Sequence, residues 1–373
     1  MKGAADPALS AGNPEHMFPL PYSESELSGL LGEGWKDTLT TAYRWMLMGR
    51  LLDNHLLDLQ HRGLVGPSYS PLSGHEATNV GAAMALQKDD WVFPGLREQL
   101  VALVRGMGLT SYAHSLFANS MDHSLGRQVP RLISAREVNY VSTASDIGAQ
   151  IIQAAGCAYA QRYSKVKGIT VAFFGDGATS TGDFHSGMNF AGVYHLPMLF
   201  LCVNNQWAIS LPVEKQTAMS AMAEKAKAYG FRGMQVDGTD VIQVYTAVKK
   251  SRASIISGEG PAFLELIVYR MTHQSSPDEP VRDLPPGWVE KAASHDPLAR
   301  LEDLLERTGI LLATNRESIR KELEDKIRHA VAEAEVTPPP GPETLFTDTV
   351  KEAYWPLTEE RETFDRDQGG HFP

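Results

Sequence analysis

Residues Ile169–Ser210 read ITVAFFGDGATSTGDFHSGMNFAGVYHLPMLFLCVNNQWAIS. The stretch opens on a β-branched and aromatic run, Ile169–Phe174, that ends in Gly175-Asp176-Gly177. A helical segment follows, then a second apolar run, Met198–Val203, that ends in Asn204-Asn205. Short apolar strands separated by helices predict an α/β fold with a parallel sheet flanked by helices on both faces. Phe263–Tyr269 is a third strand candidate. Ligands of such sheets bind beyond the carboxyl ends of the strands. Chemistry is therefore expected in the turns after Phe174, Val203 and Tyr269.

Outward from this centre, residues 1–33 are rich in Pro, Gly, Ser and Glu and read as an N-terminal arm. Its start, MKGAADPALSAGNPEHMF, has no continuous apolar core behind a basic lead, so a loosely docked tail is expected rather than a signal peptide. Trp35–Gly63 reads as a helix. Tyr43, Met46, Leu47, Leu51 and Leu59 share one face, with His55 expected to fill the gap between the last two. Gly63–Gly74 reads as a loop. The α/β domain is expected over 34–290, closing with a polar, Pro-rich loop at 272–290. A C-terminal helical region and tail, 291–373, follows. In 316–335, Ile319, Leu323, Ile327 and Val331 recur four apart, one stripe of an amphipathic helix. TPPPGPE at 337–343 is a stiff linker, and no internal repeat is present.

Composition narrows the function classes. The 373 residues carry a formal net charge of −11, which argues against a nucleic-acid partner, since phosphate backbones demand a basic face. No apolar run reaches the roughly 18 residues of a membrane span. Cys157 and Cys202 each sit in an apolar run, as buried free thiols do, and a reducing, cytoplasmic setting is expected. Neither GxGxxG nor GxxxxGK[ST] occurs, which weakens the case for a plain nucleotide-binding protein.

The Gly-Asp-Gly turn carries the chemistry. Gly175 and Gly177 are expected to let the backbone turn sharply and approach a ligand. Asp176 is a hard oxygen donor, and Asn205 would end the neighbouring strand. A carboxylate, an amide oxygen and a backbone carbonyl suit Mg²⁺, which takes its remaining ligands from phosphates and water. The helix after the turn is expected to aim its N-terminus at the same spot and favour a diphosphate.

Gly175-Asp176-Gly177, then residues 178–203 (26 positions), then Asn204-Asn205 resembles the thiamine-diphosphate motif. With NNQWAIS, GRQVP and GHEA, the chain from about residue 36 to about 355 is similar to the alpha subunit of the thiamine-diphosphate-dependent 2-oxo acid dehydrogenase first component. The branched-chain type is nearer than the pyruvate type. The resemblance implies that Asp176, Asn205 and the carbonyl of Trp207 bind Mg²⁺. It implies that Gly175, Gly177 and Ala178 cradle the diphosphate and that Arg97 pairs with it. Ser145 and Ile147 would flank the cofactor rings; Ser145 is also a plausible N-cap for the helix that follows. Arg127 would order the same loop system. His75 and Glu76 would be mainly structural, and His185 and His195 would be packed or exposed rather than metal ligands.

The same resemblance implies a beta subunit in a heterotetramer of two alpha and two beta chains, a small 2-oxo acid as substrate and a lipoyl-bearing acyltransferase as acceptor. The glutamate that ionises the cofactor would belong to the beta subunit. Three departures stand out. Leu96 precedes Arg97 where the family has Tyr, and Ser68 replaces a substrate-side Phe. In YRMTHQSSPDEP, Gln274 falls on the family's active-site histidine, His273 lies one residue earlier, and Asp283-Leu284 replaces the arginine-bearing end of the loop. The resemblance implies that cofactor binding is retained and that these departures bear on substrate choice and the later catalytic steps. The alternatives are a pyruvate- or acetoin-processing paralogue and a cofactor-binding subunit with impaired turnover.

Overall fold

The computed structural model describes residues 20–66, 69–272, 287–347 and 350–367. Among the described residues, seven strands occur in chain order: β1 Trp91–Phe93, β2 Thr170–Gly175, β3 Met198–Asn204, β4 Trp207–Ala208, β5 Leu211–Pro212, β6 Arg232–Asp237 and β7 Ala262–Ile267. Five form one sheet in the order β1-β2-β3-β7-β6, with every neighbouring pair parallel. β4 and β5 make a separate antiparallel ribbon.

Side chains alternate between two apolar layers, as the two-residue period of a strand requires. Val171, Phe173, Leu199, Leu201 and Leu264 enter one layer. Ala172, Phe174, Phe200, Cys202 and Phe263 enter the other. The first layer is closed by Trp35–His61, Glu76–Ala85, Val241–Ile256 and the C-terminal helices, the second by Ala149–Tyr163 and Gly182–Val193. Burial on both faces is why β2 and β3 read as unbroken apolar runs.

β7 ends at Ile267, two residues before the expected end, although Val268 N still donates to the Asn204 carbonyl at 2.9 Å. The edge strand β6 carries partly exposed polar side chains, and β1 has only three residues. Neither has a sequence pattern that singles it out.

The long helix runs Trp35–His61 and buries Tyr43, Met46, Leu47, Leu51 and Leu59. His55 does not fill the gap in this face. It is half-buried, and Leu52 and Leu56 occupy the interior instead. The C-terminal helix spans Ala313–Val336, with Leu323, Ile327 and Val331 buried and Ile319 packed against them. Part of the expected arm is firmly docked. Leu20 and Leu27 are buried, and the Tyr22 hydroxyl donates to Asp240 Oδ2 at 2.7 Å. Residues 1–19 lie outside the described residues. No helix among the described residues is long and apolar enough to cross a membrane.

Asp53 sits fully buried on the inner face of the long helix. Its Oδ1 accepts from Tyr69 Oη (2.5 Å) and Leu72 N (3.1 Å), and its Oδ2 from Ser73 N (2.8 Å) and Ser73 Oγ (2.7 Å). One carboxylate thus fastens the loop before His75 to the core. Removing it strands several buried donors, each costing on the order of 1–3 kcal/mol. Asp53→Ala should lower stability by about 3 kcal/mol or more, read from the urea midpoint, and Asp53→Asn should do less damage because one acceptor oxygen remains. An unchanged midpoint in Asp53→Ala would refute this role.

Candidate active site

The register of β2 against β3 places Gly175 opposite Val203. The two turns therefore leave the sheet side by side, Asp176 from one and Asn205 from the other. Between them lies a cleft of about 480 Å³, within the usual size range of small-molecule sites. Arg97, Ser145, Ile147, Gly175, Asp176, Gly177, Ala178, Asn205 and Trp207 all line it, together with His75, Leu96, Glu98 and Gln150. Residues from separate stretches of the chain are thus gathered in one place. Ser68, His273, Gln274, Asp283 and Leu284 lie outside the described residues.

The Gly-Asp-Gly turn differs in detail from its reading. A five-residue 3-10 turn, Asp176–Ser180, stands between β2 and the helix Gly182–Val193, whose N-cap is Thr181. The turn, not the helix, opens at the end of β2. Neither Gly175 nor Gly177 needs the left-handed region. Gly177 is required by close approach instead, since a Cβ there would meet the Ala208 Cβ at 2.9 Å. Gly148 does need it: its φ is +92°, and an added Cβ would meet Thr181 Oγ1 at 2.4 Å. Gly148 is also the N-cap of Ala149–Tyr163. Ser145 is therefore not the cap; it is an exposed residue on the cleft rim.

Asp176 is 1% exposed, and its Oδ2 has no hydrogen-bond partner. Burial pushes its carboxyl up to about 6, against the opposing pull of Arg270. Its backbone oxygen accepts from Thr179 Oγ1 and Gln216 Nε2, each at 2.8 Å, so the turn is held from two sides. A buried, unpartnered carboxylate oxygen is costly unless a cation meets it.

Asn204 and Asn205 have separate tasks. Asn204 Nδ2 donates to Glu265 Oε1 at 2.8 Å, while its Oδ1 accepts from Gln206 N at 2.9 Å. Glu265, 1% exposed in β7, also accepts from Ala223 N at 2.9 Å. Within the turn closed by Asn204, Gln206 has φ +70°; Ile209, at φ +58°, opens the two-residue turn between β4 and β5, where such a value is usual. Asn205 is left facing the cleft, with its Oδ1 accepting from Trp207 N at 3.1 Å.

Arg97 is 7% exposed. It donates through Nη1 to the carbonyl of Pro71, in the loop that Asp53 holds. Burial and the nearby Arg270 guanidinium lower its pKa to about 10, so it remains a cation at neutral pH. Arg97, the one of the two that lines the cleft, presents it with a positive charge, which favours an anion there. Arg270, which donates to the Ile209 carbonyl at 3.2 Å, was not among the sequence candidates.

Arg127 is not among the residues that line the cleft. It is exposed and donates to the carbonyls of Thr344 and Thr347, which ties it to the C-terminal segment. Arg131, which drew no attention in the sequence, reaches Ser70 Oγ at 3.1 Å and braces the loop beside Arg97. His185 is exposed against the Tyr229 hydroxyl, and His195 is exposed as well. Both cysteines are free: Cys202 is buried and Cys157 half-buried.

Among the described residues, no group of three or more His, Cys, Asp or Glu is gathered for a metal. At the two turns the cleft offers one carboxylate, Asp176, one carboxamide, Asn205, and backbone oxygens, with Glu98, Asp146 and Gln150 elsewhere in its lining. Such a sparse, hard-oxygen set fits Mg²⁺ carried in with phosphates and water. The unpartnered Asp176 Oδ2, the bare glycine at 177 and the Arg97 cation together fit a magnesium-bound diphosphate.

Comparison with known proteins identifies the family of the chain. Residues 43–343 match the family model described as dehydrogenase E1 component. The chain is 34% identical over 309 residues to Arabidopsis thaliana 2-oxoisovalerate dehydrogenase subunit alpha 2, mitochondrial, covering 82% of this chain and 65% of that protein. It therefore spans less than two thirds of the length of that relative. It is 32% identical over 342 residues to the human 2-oxoisovalerate dehydrogenase subunit alpha, mitochondrial, covering 91% and 77%. It is 35% identical over 307 residues to the Bacillus cereus pyruvate dehydrogenase E1 component subunit alpha, covering 81% and 79%.

Glu98 supplies a test of the cleft wall. Burial pushes its carboxyl up to about 7, against the pull of the Arg97 charge and backbone. A raised carboxyl pKa means that the folded state holds its proton where the unfolded state has lost it. The resulting penalty is absent below the unfolded pKa, grows as pH rises and is complete above the folded pKa near 7. Glu98→Gln should therefore raise stability at pH 8 by about 1–3 kcal/mol, at about 1.4 kcal/mol per pKa unit, and leave stability at pH 4 little changed. Equal unfolding midpoints for the two proteins at pH 8 would contradict it.

Proposed function

The chain belongs to the dehydrogenase E1 component family, and from that premise we propose that it is the alpha subunit of a 2-oxo acid dehydrogenase. In this reading it binds Mg-thiamine diphosphate where it meets a separate beta subunit. The observation that carries the reading is the convergence of Asp176, Asn205, Gly177 and Arg97 on one cleft at the carboxyl ends of β2 and β3.

Asp176, Asn205 and the Trp207 carbonyl would hold the cation, and Gly177, Ala178 and Arg97 the diphosphate. Ser145 and Ile147 would lie against the cofactor rings. Thiamine diphosphate, when bound, supplies the nucleophilic carbon and the electron sink for decarboxylating a 2-oxo acid. The chain's own task is to bind and orient it and to exclude water. The acyl group would pass to a lipoyl-bearing acyltransferase, and we place the assembly in the cytoplasm.

A beta partner is supported by the surface beside the cleft. Ile147 on the rim is 56% exposed and Ile209 65%. Behind the rim, Ile152, Tyr159 and Tyr163 on one helix and Phe190, Val193 and Tyr194 around the end of the next are exposed as well. Tyr159, Phe190 and Tyr194 form a ring cluster with centroids 4.7–5.7 Å apart. Exposed apolar groups along two neighbouring helices, with this ring cluster at their far end, favour an interaction surface. Two alpha and two beta chains are the proposed assembly.

Substrate choice follows from the pocket. Relatives with both 2-oxoisovalerate and pyruvate names occur at similar identity. Leu96 lines the cleft where the family has Tyr, which favours a bulky, branched 2-oxo acid. A subunit with impaired acyl transfer is the second reading, favoured by Gln274 in place of the family's histidine.

The test compares the purified chain with the same chain co-purified with its beta partner. Alone, it should bind Mg-thiamine diphosphate weakly in calorimetry. With the partner, affinity should rise by at least ten-fold and decarboxylation of branched 2-oxo acids should appear. Asp176→Ala should reduce cofactor affinity in the assembly by about 10–100-fold, the range typical of lost support at a metal site, with an unchanged fold by circular dichroism. Tight binding and turnover by the single chain, or full affinity in Asp176→Ala, would defeat the reading.

A further inference from the structure

His75 and Glu76 are neighbours in sequence with different surroundings. Glu76 is wholly occupied by the framework: Oε1 accepts from Arg50 Nε at 2.5 Å, and Oε2 from Gly74 N at 2.8 Å. His75 lines the cleft and is 1% exposed. Its position suggests a helix cap, since it immediately precedes Glu76–Ala85, yet its side chain makes no cap hydrogen bond. The polar side-chain atom it meets is Asn205 Nδ2, 3.3 Å from its Nε2.

The chemistry of the Asn205 carboxamide settles which atom does what. Trp207 N donates to Asn205 Oδ1 at 3.1 Å. A backbone N–H cannot donate to an amide nitrogen, so the oxygen must lie on the Trp207 side and the NH₂ on the His75 side. An amide nitrogen only donates. His75 Nε2 must then accept, which puts the ring proton on Nδ1, a buried atom beside the backbone of Ser73 and Leu72 but without a hydrogen bond to either. Both ends of the carboxamide are held, one by the Trp207 main chain and the other by an imidazole. Oδ1 keeps a second lone pair, and its direction is fixed.

We propose that His75 is a positioning residue for the cation site, locking the Asn205 carboxamide so that its oxygen is presented to the cation that Asp176 also binds. The proposal rests on reading the cleft as a Mg-diphosphate site. Groups behind a metal's direct ligands orient them, and their loss typically costs about 10–100-fold in metal affinity. His75 would act in that way through Asn205, without touching the metal.

The test uses the chain assembled with its beta partner and Mn²⁺ as probe, with thiamine diphosphate present and free Mn²⁺ followed by electron paramagnetic resonance. His75→Phe keeps a buried ring and removes the acceptor, whereas His75→Gln returns an acceptor oxygen. Mn²⁺ affinity should fall about ten-fold or more in His75→Phe and recover substantially in His75→Gln, while the melting temperatures of the cation-free proteins stay alike. Wild-type affinity in His75→Phe, or an equal loss in both variants, overturns the proposal. Failure of the wild type itself to bind Mn²⁺ overturns the reading of the cleft instead. A measurement on the unmutated protein covers the case in which His75→Phe does not fold: nitrogen-15 histidine NMR should find the His75 ring protonated on Nδ1 and bare on Nε2. The opposite tautomer overturns the proposal.

Discussion

Two adjacent parallel strands end within one residue of the same level, and the cleft depends on that alignment. Gly175 stands opposite Val203, and β7 continues the match with Val203 opposite Leu266. A slip of one residue would turn every side chain of a strand to the opposite face. It would bury Asp176 in the wrong layer and carry Asn205 away from it. The register is enforced by the two apolar layers, because Phe173 and Phe174 each fit only one of them. The hydrophobic core and the polar site therefore share one determinant: packing on both faces of the sheet fixes where the polar turns emerge.

The polar contacts form tiers behind this alignment. Glu265 is a carboxylate inside the sheet, satisfied by Asn204 and the Ala223 main chain. Its removal would cost more than a surface ion pair could, since buried polar atoms must be matched or they penalise the fold. Asn204 also closes the turn that presents Asn205. On the other wall, Asp53 holds the loop whose Pro71 carbonyl receives Arg97. The site is thus supported from both sides by buried carboxylates that do not line it.

The central strands and the turn residues were legible from sequence because each had to be of a particular type. A doubly covered strand must be apolar throughout, and the proposed site for a hard cation would have to offer oxygen. The supporting residues were less visible. Asp53 lies in a helical pattern where an acidic side chain ordinarily faces water, and only the distant Tyr69–Ser73 segment reveals its partners. Arg131 and Arg127 belong to one short basic segment, and nothing local says which reaches the loop and which the C-terminal segment. Glu265 did leave a trace, since an acid within FLEL interrupts an otherwise apolar strand. β1 and β6 escaped because one has three residues and the other is a half-exposed edge. The Gly-Asp-Gly turn stands at the end of β2 as expected, but for a different local reason: Gly177 is small because Ala208 crowds it, not because its backbone is unusual.

The helices Ala149–Tyr163 and Gly182–Val193 form a single layer over the sheet, and their outer sides carry tyrosines, valine and phenylalanine. A chain with such a face has a different fate from a self-sufficient monomer during synthesis in a cell. Copies made in excess of whatever covers the face would display sticky rings to chaperones and proteases, and to one another. Their lifetime would then be set by how soon the face is covered, and the abundance of one chain would come to track the supply of its cover without any dedicated regulator.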